Sequence, residues 1–102
     1  MHLRSIAAFA CAGIAAVVHA QPADPNLGRN IAATCANCHG TNGVTQGGGL
    51  PSLAGQSKDE LVRKMQDFKS GRAPSTIMTQ LAKGYTDEQI ELAASFFAAQ
   101  KK

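Results

Sequence analysis

Three residues capable of thiol and metal chemistry stand together in the run Cys35-Ala36-Asn37-Cys38-His39-Gly40. Two thiols at this spacing lie on one side of a helical turn, and C-x-x-C-H is the attachment pattern of a c-type haem. Each thiol can form a thioether to a haem vinyl group, and the imidazole that follows is placed under the iron as proximal ligand. A bare C-x-x-C also fits a disulfide, a thioredoxin-like redox pair or half a zinc site. The redox pair belongs beside a βαβ pattern, yet no stretch of the chain alternates apolar and polar residues as a strand does. Zinc would have to find its remaining ligands among carboxylates.

The first twenty residues read as a removable leader. Met1-His2-Leu3-Arg4 is a positive n-region, residues 6–18 are an almost unbroken apolar run, and Val18-His19-Ala20 is a small-residue cleavage site before Gln21. A lipoprotein leader ending at Cys11 fits less well, because the expected Leu before that Cys is missing. The apolar run is too short for a membrane span. The expected organisation is therefore a signal peptide at 1–20 and one monohaem domain at 21–102, delivered to the periplasm, outside the cytoplasm where c-type haem is attached. Cleavage leaves Cys35 and Cys38 as the sole thiols and His39 as the sole histidine. Loss of Arg4 lowers the formal charge from +3 to +2. Two haem propionates would bring that near zero. With no basic block, and Lys101-Lys102 reading as a solvated tail, nucleic acid is not an expected partner.

A mature chain of about eighty residues seldom buries enough apolar surface to stand alone. This one has no Trp, and its aromatics after the leader are Phe68, Tyr85, Phe96 and Phe97. A large flat apolar cofactor would supply the missing core, so the haem is expected to be a structural requirement.

The elements that must position the site follow from periodicity and punctuation. Asn26 reads as the N-cap of a helix through Leu27, Ile31, Ala32 and Cys35 that enters the haem site directly. Gly28 in that helix either permits close approach of another helix or is a tolerated poor helix former. Residues 40–55 are a glycine-punctuated loop. It lacks the G-K-[ST] and preceding strand of a phosphate loop, and its Leu50, Leu53 and Ala54 could cover a haem face. Ser57 and Glu60 form a capping box for a helix with Leu61, Val62, Met65 and Phe68 on one face and Arg63, Lys64, Gln66 and Asp67 largely on the other. Ser70-Gly71 ends it. A turn at 72–75 precedes a short helix over 76–83, stopped by Gly84. Thr86 and Gln89 box the start of a last helix through Ile90, Leu92, Ala93, Phe96 and Phe97.

With His39 used on one face of the iron, a methionine is the natural ligand for the other. Met65 lies in an apolar helical stripe, where Met is more often core. Met78, in a loop-to-helix segment remote from His39, is the favoured candidate, with Met65 as the alternative.

These blocks, together with Pro51-Ser52-Leu53-Ala54-Gly55-Gln56, Asp67-Phe68-Lys69-Ser70-Gly71-Arg72 and Tyr85-Thr86-Asp87-Glu88-Gln89-Ile90, resemble the small class I c-type cytochromes of the bacterial c553/c4 type. The resemblance implies an all-α fold, about four helices wrapped around one covalently attached haem, in which the first and last helices cross and Gly28 meets Phe96 or Phe97. It implies His39 and Met78 as axial ligands, with the Pro51 carbonyl accepting the proton on the far nitrogen of His39. The stretch from Met78 to Tyr85 is also similar to the cytochrome subunit of flavocytochrome c sulfide dehydrogenases, some of which carry two haem domains where this chain has one motif.

The expected activity is one-electron transfer at a His/Met-ligated iron, with protein donors and acceptors and no bond chemistry of its own. Two alternatives are an electron-accepting subunit beside a flavoprotein, and a five-coordinate gas-binding or peroxidase-like site should Met78 not bind. Arg72 could neutralise a propionate or be a solvated turn residue.

Overall fold

The computed structural model describes Ala20 and residues 22–102. The expected leader lies outside the described residues, apart from Ala20. Where the sequence carries a helical apolar period, helices form: α1 (Leu27–Ala32), α2 (Ala36–His39), α3 (Lys58–Lys69), α4 (Met78–Lys83) and α5 (Asp87–Ala98). Tight 3-10 turns occupy Ala33–Cys35 and Thr41–Gly43, and no strand occurs among the described residues. This is the all-α arrangement that the sequence implies.

Asn26 does not cap α1. Its backbone (φ −96°, ψ 1°) is outside the extended conformation that a capping side chain needs. Instead the Asn26 amide donates to Asp24 Oδ1 at 2.8 Å, and the Asn30 side chain reaches Asp24 Oδ2 at 3.4 Å. Between α1 and α2 the backbone keeps helical angles at Ala33 and Cys35, so the chain winds from Leu27 to His39 with one tightened turn. It stops at Gly40, whose φ of +82° is open to glycine and where a Cβ would overlap the Val44 carbonyl.

The cap of α3 is one-armed. Ser57 Oγ accepts from the Glu60 amide at 3.2 Å, but the Glu60 carboxylate turns away to Lys64 at 3.2 Å and leaves the expected box incomplete. At α5 both arms are present: the Thr86 amide donates to Gln89 Oε1 at 2.9 Å and the Gln89 amide to Thr86 Oγ1 at 3.2 Å. The short helix α4 begins at Met78, two residues later than its sequence suggests, because Ile77 (φ −133°) is not helical and Ser75 Oγ takes the Thr79 amide at 2.9 Å.

Helix α1 packs on α5, and α3 packs on both α4 and α5. Gly28 marks the α1–α5 crossing, but the residue it meets is Leu92, one turn before Phe96. A Cβ on Gly28 would lie 2.9 Å from the Leu92 carbonyl oxygen, so backbone touches backbone here. The rings of Phe96 and Phe97 are too bulky for such a contact and pack further along. Phe97 joins Ala32, Leu61 and Ala94 in the core, with Phe96 against them.

Polar contacts tie α3 to the start of α5. Lys69 Nζ donates to the Tyr85 carbonyl at 2.8 Å and to Asp87 Oδ1 at 2.9 Å, and Gln66 Nε2 reaches the same oxygen at 3.0 Å. The Gln66 hydrogen bond and the Lys69 ammonium hold the Asp87 carboxyl below its ordinary range. That stabilisation is present above the unfolded carboxylate range and is lost as pH falls through the lowered folded value. Among the described residues no helix is long and apolar enough to cross a membrane.

Gly28→Ala tests the crossing. Alanine gains about 1 kcal/mol of helix propensity, but the new methyl meets a carbonyl that cannot rotate away, and overpacking costs about 1–3 kcal/mol. A net loss is expected in denaturant unfolding of the haem-loaded protein, and a larger one for Gly28→Val, whose branched side chain adds bulk without the gain.

Candidate functional site

The helices enclose a cavity of about 640 Å³, within the roughly 300–1,000 Å³ typical of small-molecule sites. His39, at the end of α2, lines it and is buried at 9% exposure. Its Nδ1 lies 2.8 Å from the Pro51 carbonyl oxygen. A carbonyl can only accept, so Nδ1 carries the proton and Nε2 keeps a free lone pair, the form that binds a metal. Cys35 and Cys38 also line the cavity, and neither is in a disulfide. Burial pushes the Cys35 thiol above its ordinary range.

The other walls are apolar. Helix α3 contributes Leu61, Met65 and Phe68, while α5 contributes Ile90, Ala94 and Phe97. Met78 and Leu81 come from α4, and Leu50, Pro51 and Leu53 from the loop after α2. The two candidate methionines therefore reach the same space. At its mouth Leu50 (50%), Ile77 (56%) and Leu81 (45%) are large exposed apolar side chains. Across one wall the Tyr85 and Thr34 hydroxyls meet at 2.6 Å and join the α4–α5 corner to the segment beside Cys35.

This donor set decides between chemistries. Among the described residues no group of three or more His, Cys, Asp or Glu could hold a metal ion, so none of them completes a zinc site with Cys35 and Cys38. A broad apolar slot with two free thiols and one oriented imidazole at its wall fits a flat apolar macrocycle that is attached at an edge and ligated from a face.

Arg72 is not at the cavity. Its Nη2 and Nε hold Asp67 Oδ1 at 2.6 and 3.0 Å, an ion pair with α3. The cation that does line the cavity is Lys64, which the sequence reading placed on the polar face. A signal was present: Lys64 stands one turn from both Leu61 and Phe68, at the edge of the apolar stripe. For the Tyr85–Thr34 contact, between residues far apart in sequence, there was none.

Residues 26–100 match the family model for cytochrome c. The chain belongs to the cytochrome c family. It is 39% identical over 89 residues to the cytochrome subunit of sulfide dehydrogenase of Chlorobaculum tepidum, a match covering 87% of this chain and 80% of that one. To cytochrome c4 of Pseudomonas aeruginosa it is 35% identical over 89 residues, 87% of this chain but 44% of the relative, so it spans less than half that protein's length. To cytochrome c-553 of Nitratidesulfovibrio vulgaris it is 32% identical over 92 residues, 86% of this chain and 88% of that one. Like its family, this small class I cytochrome binds haem c covalently and serves electron transfer, and its single C-x-x-C-H motif corresponds to one haem.

The hydroxyl pair on the cavity wall is open to a double-mutant cycle. Tyr85→Phe and Thr34→Val should each cost about 1 kcal/mol in unfolding of the haem-loaded protein. If the two hydroxyls serve each other, the double variant loses about as much as either single one and far less than their sum.

Proposed function

We propose that this cytochrome is an exported one-electron carrier in which Cys35 and Cys38 hold the haem by thioethers and His39 and Met78 are the axial ligands. The observation that carries the reading is the His39 Nδ1 to Pro51 hydrogen bond at 2.8 Å, which fixes ring orientation and tautomer in a cavity that also receives both thiols and Met78. The haem, once bound, supplies the Fe(II)/Fe(III) couple. Nε2 of His39 offers a basic nitrogen ligand, and the Met78 thioether a soft one that favours the ferrous state. Leu53, Leu61, Phe68 and Ile90 keep water from the ring and work in the same direction. With His39 and Met78 as ligands, no coordination position would be left for a substrate at the iron, so the chain would move electrons without bond chemistry.

Met78 is preferred to Met65 on its backbone setting. Met65 sits mid-helix between Leu61 and Phe68, where a thioether packs as wall. Met78 opens α4 immediately after the non-helical Ile77.

Export rests on the leader pattern of residues 1–20 and places the domain at 21–102 in the periplasm, with redox proteins as donor and acceptor. A second reading is favoured by one comparison, the relative named as the cytochrome subunit of sulfide dehydrogenase, which aligns over 80% of its length. On that reading a flavoprotein is the permanent donor. Co-purification with a flavoprotein supports the subunit, and a stable lone monomer supports the free carrier.

The test of ligation is optical. The exported protein should retain haem on denaturation and show the weak far-red sulfur-to-iron band when oxidised. Met78→Ala should keep the haem attached and lose that band, with carbon monoxide then binding rapidly to the reduced form, while Met65→Ala keeps the band. The reverse pattern would make Met65 the ligand, and rapid carbon monoxide binding by the unsubstituted protein would replace the carrier with a ligand-binding haem protein. Replacing both Cys35 and Cys38 with Ala should leave any bound haem extractable by acid and organic solvent.

A further inference from the structure

The contacts behind His39 do not end at Pro51. Residues 45–52 form an excursion closed at its base by Thr45 and Ser52: the Thr45 amide donates to Ser52 Oγ at 3.0 Å, and the two hydroxyls meet at 2.8 Å. The tip is loose, since at Gly47, Gly48 and Gly49 a Cβ would find no atom within 4 Å. Pro51, which carries the acceptor for His39, is the last residue before the clasp and has no N–H with which to anchor itself. Ser52 therefore locates it.

Ser52 is held from a second side. Its carbonyl accepts from Gln56 Nε2. Gln56 Oε1 accepts from Lys64 Nζ at 2.9 Å, and the same ammonium lies 3.2 Å from Glu60 Oε1. A lysine can only donate, so the Gln56 oxygen must face α3 and its NH₂ must face the loop. Neither end of the side chain can be exchanged without losing a contact.

We infer that Gln56 is a positioning residue for the axial histidine: by tying Ser52 to α3 through Lys64, it holds the Pro51–Ser52 peptide so that the Pro51 carbonyl stays on His39 Nδ1. The inference deepens the proposed function and rests on His39 as the iron ligand. Its consequence is redox. A firm Nδ1–H···O=C bond makes the opposite ring nitrogen more basic and favours ferric iron, so loosening it raises the midpoint potential. The competing account is that the backbone suffices, since the Leu53 and Ala54 amides donate to the Gly43 carbonyl at 2.8 and 3.2 Å and the Gly55 amide to the Phe97 carbonyl at 2.9 Å. Those bonds anchor the chain after Ser52, whereas Pro51 precedes it.

The experiment uses the haem-loaded full chain with two uncharged substitutions, Gln56→Leu and Ser52→Ala, so that no change of charge moves the potential. Gln56 lines the cavity and its replacement also alters polarity beside the haem. Ser52 does not line it, so a shift in Ser52→Ala has no such origin. Both variants should raise the midpoint potential and speed exchange of the His39 Nδ1 proton with D₂O by about tenfold, the equivalent of one lost hydrogen bond of ordinary strength. Unchanged exchange in Gln56→Leu would overturn the inference in favour of the backbone account, and a change confined to Ser52→Ala would assign the positioning to the Thr45–Ser52 clasp instead of Gln56. Failure of the underlying reading looks different, because the unsubstituted protein would then lack the low-spin spectrum of a His-ligated haem. Proton exchange would still report whether Gln56 positions the ring.

Discussion

The protein part of this fold does not fill its own centre. Of the seven buried apolar residues among those described, four are alanines (Ala32, Ala54, Ala82 and Ala94), and none of the larger side chains there is fully enclosed. What the helices surround is a cavity whose walls take Leu53, Leu61, Met65, Phe68, Met78 and Leu81, side chains that would make the core of an ordinary small domain. An apolar wall facing water is unfavourable by about 25 cal/mol for each Å², so these helices settle around the cavity when the cofactor covers it. Small residues follow from the same demand. Gly28 against Leu92 and Ala32 beside Phe97 bring α1 and α5 close at one edge, and the wide space falls on the other side of the crossing.

Polar interactions are distributed accordingly. The ion pairs Lys58–Glu91, Arg63–Asp67, Lys69–Asp87 and Arg72–Asp67 lie on the solvent side of α3 and α5. Exposed pairs of this kind are each worth about 0–1 kcal/mol, and they trim the surface more than they build the fold. Contacts that reach the cavity are fewer and more specific: Nδ1 of His39 on the Pro51 carbonyl, the hydroxyl pair of Tyr85 and Thr34, and the Gln56 amide between loop and α3. Each joins two elements that line the cavity, and so fixes how its walls sit against one another.

What could be read from the sequence is what is local. The C-x-x-C-H pentapeptide, the stripe of Leu61, Met65 and Phe68, the Thr86–Gln89 box and the stop at Gly40 depend on residues a few positions apart, and each appears in the structure. The errors arise where the outcome depends on what a side chain meets across the fold. Asn26 reads as a cap, but its own amide is held by Asp24 and its backbone is not extended. Glu60 had Lys64 one turn away and left its box half made. Lys64, on the polar face by its helical position, lines the cavity at the edge of the apolar stripe. Gly28 was correctly suspected of close approach but paired with the wrong residues, because the register of two crossing helices is set by shape along their whole contact.

The two sides of the cavity differ in how firmly they are built. His39 ends an unbroken winding from Leu27 and is locked by a carbonyl whose loop is clasped at Thr45 and Ser52. Met78, the proposed second ligand, opens a six-residue helix, a length well below the ~12–15 residues that an isolated helix needs to persist in water. Its neighbour Ile77 is non-helical and 56% exposed. On the histidine side the protein positions the ligand. On the methionine side the bond to iron would position the protein, so that segment should be the first to yield when the soft sulfur ligand is lost. An electron carrier tolerates this division well. The rigid side would set the basicity of the nitrogen, and the compliant side would let a Met78 sulfur settle on the iron without moving the rest of the fold.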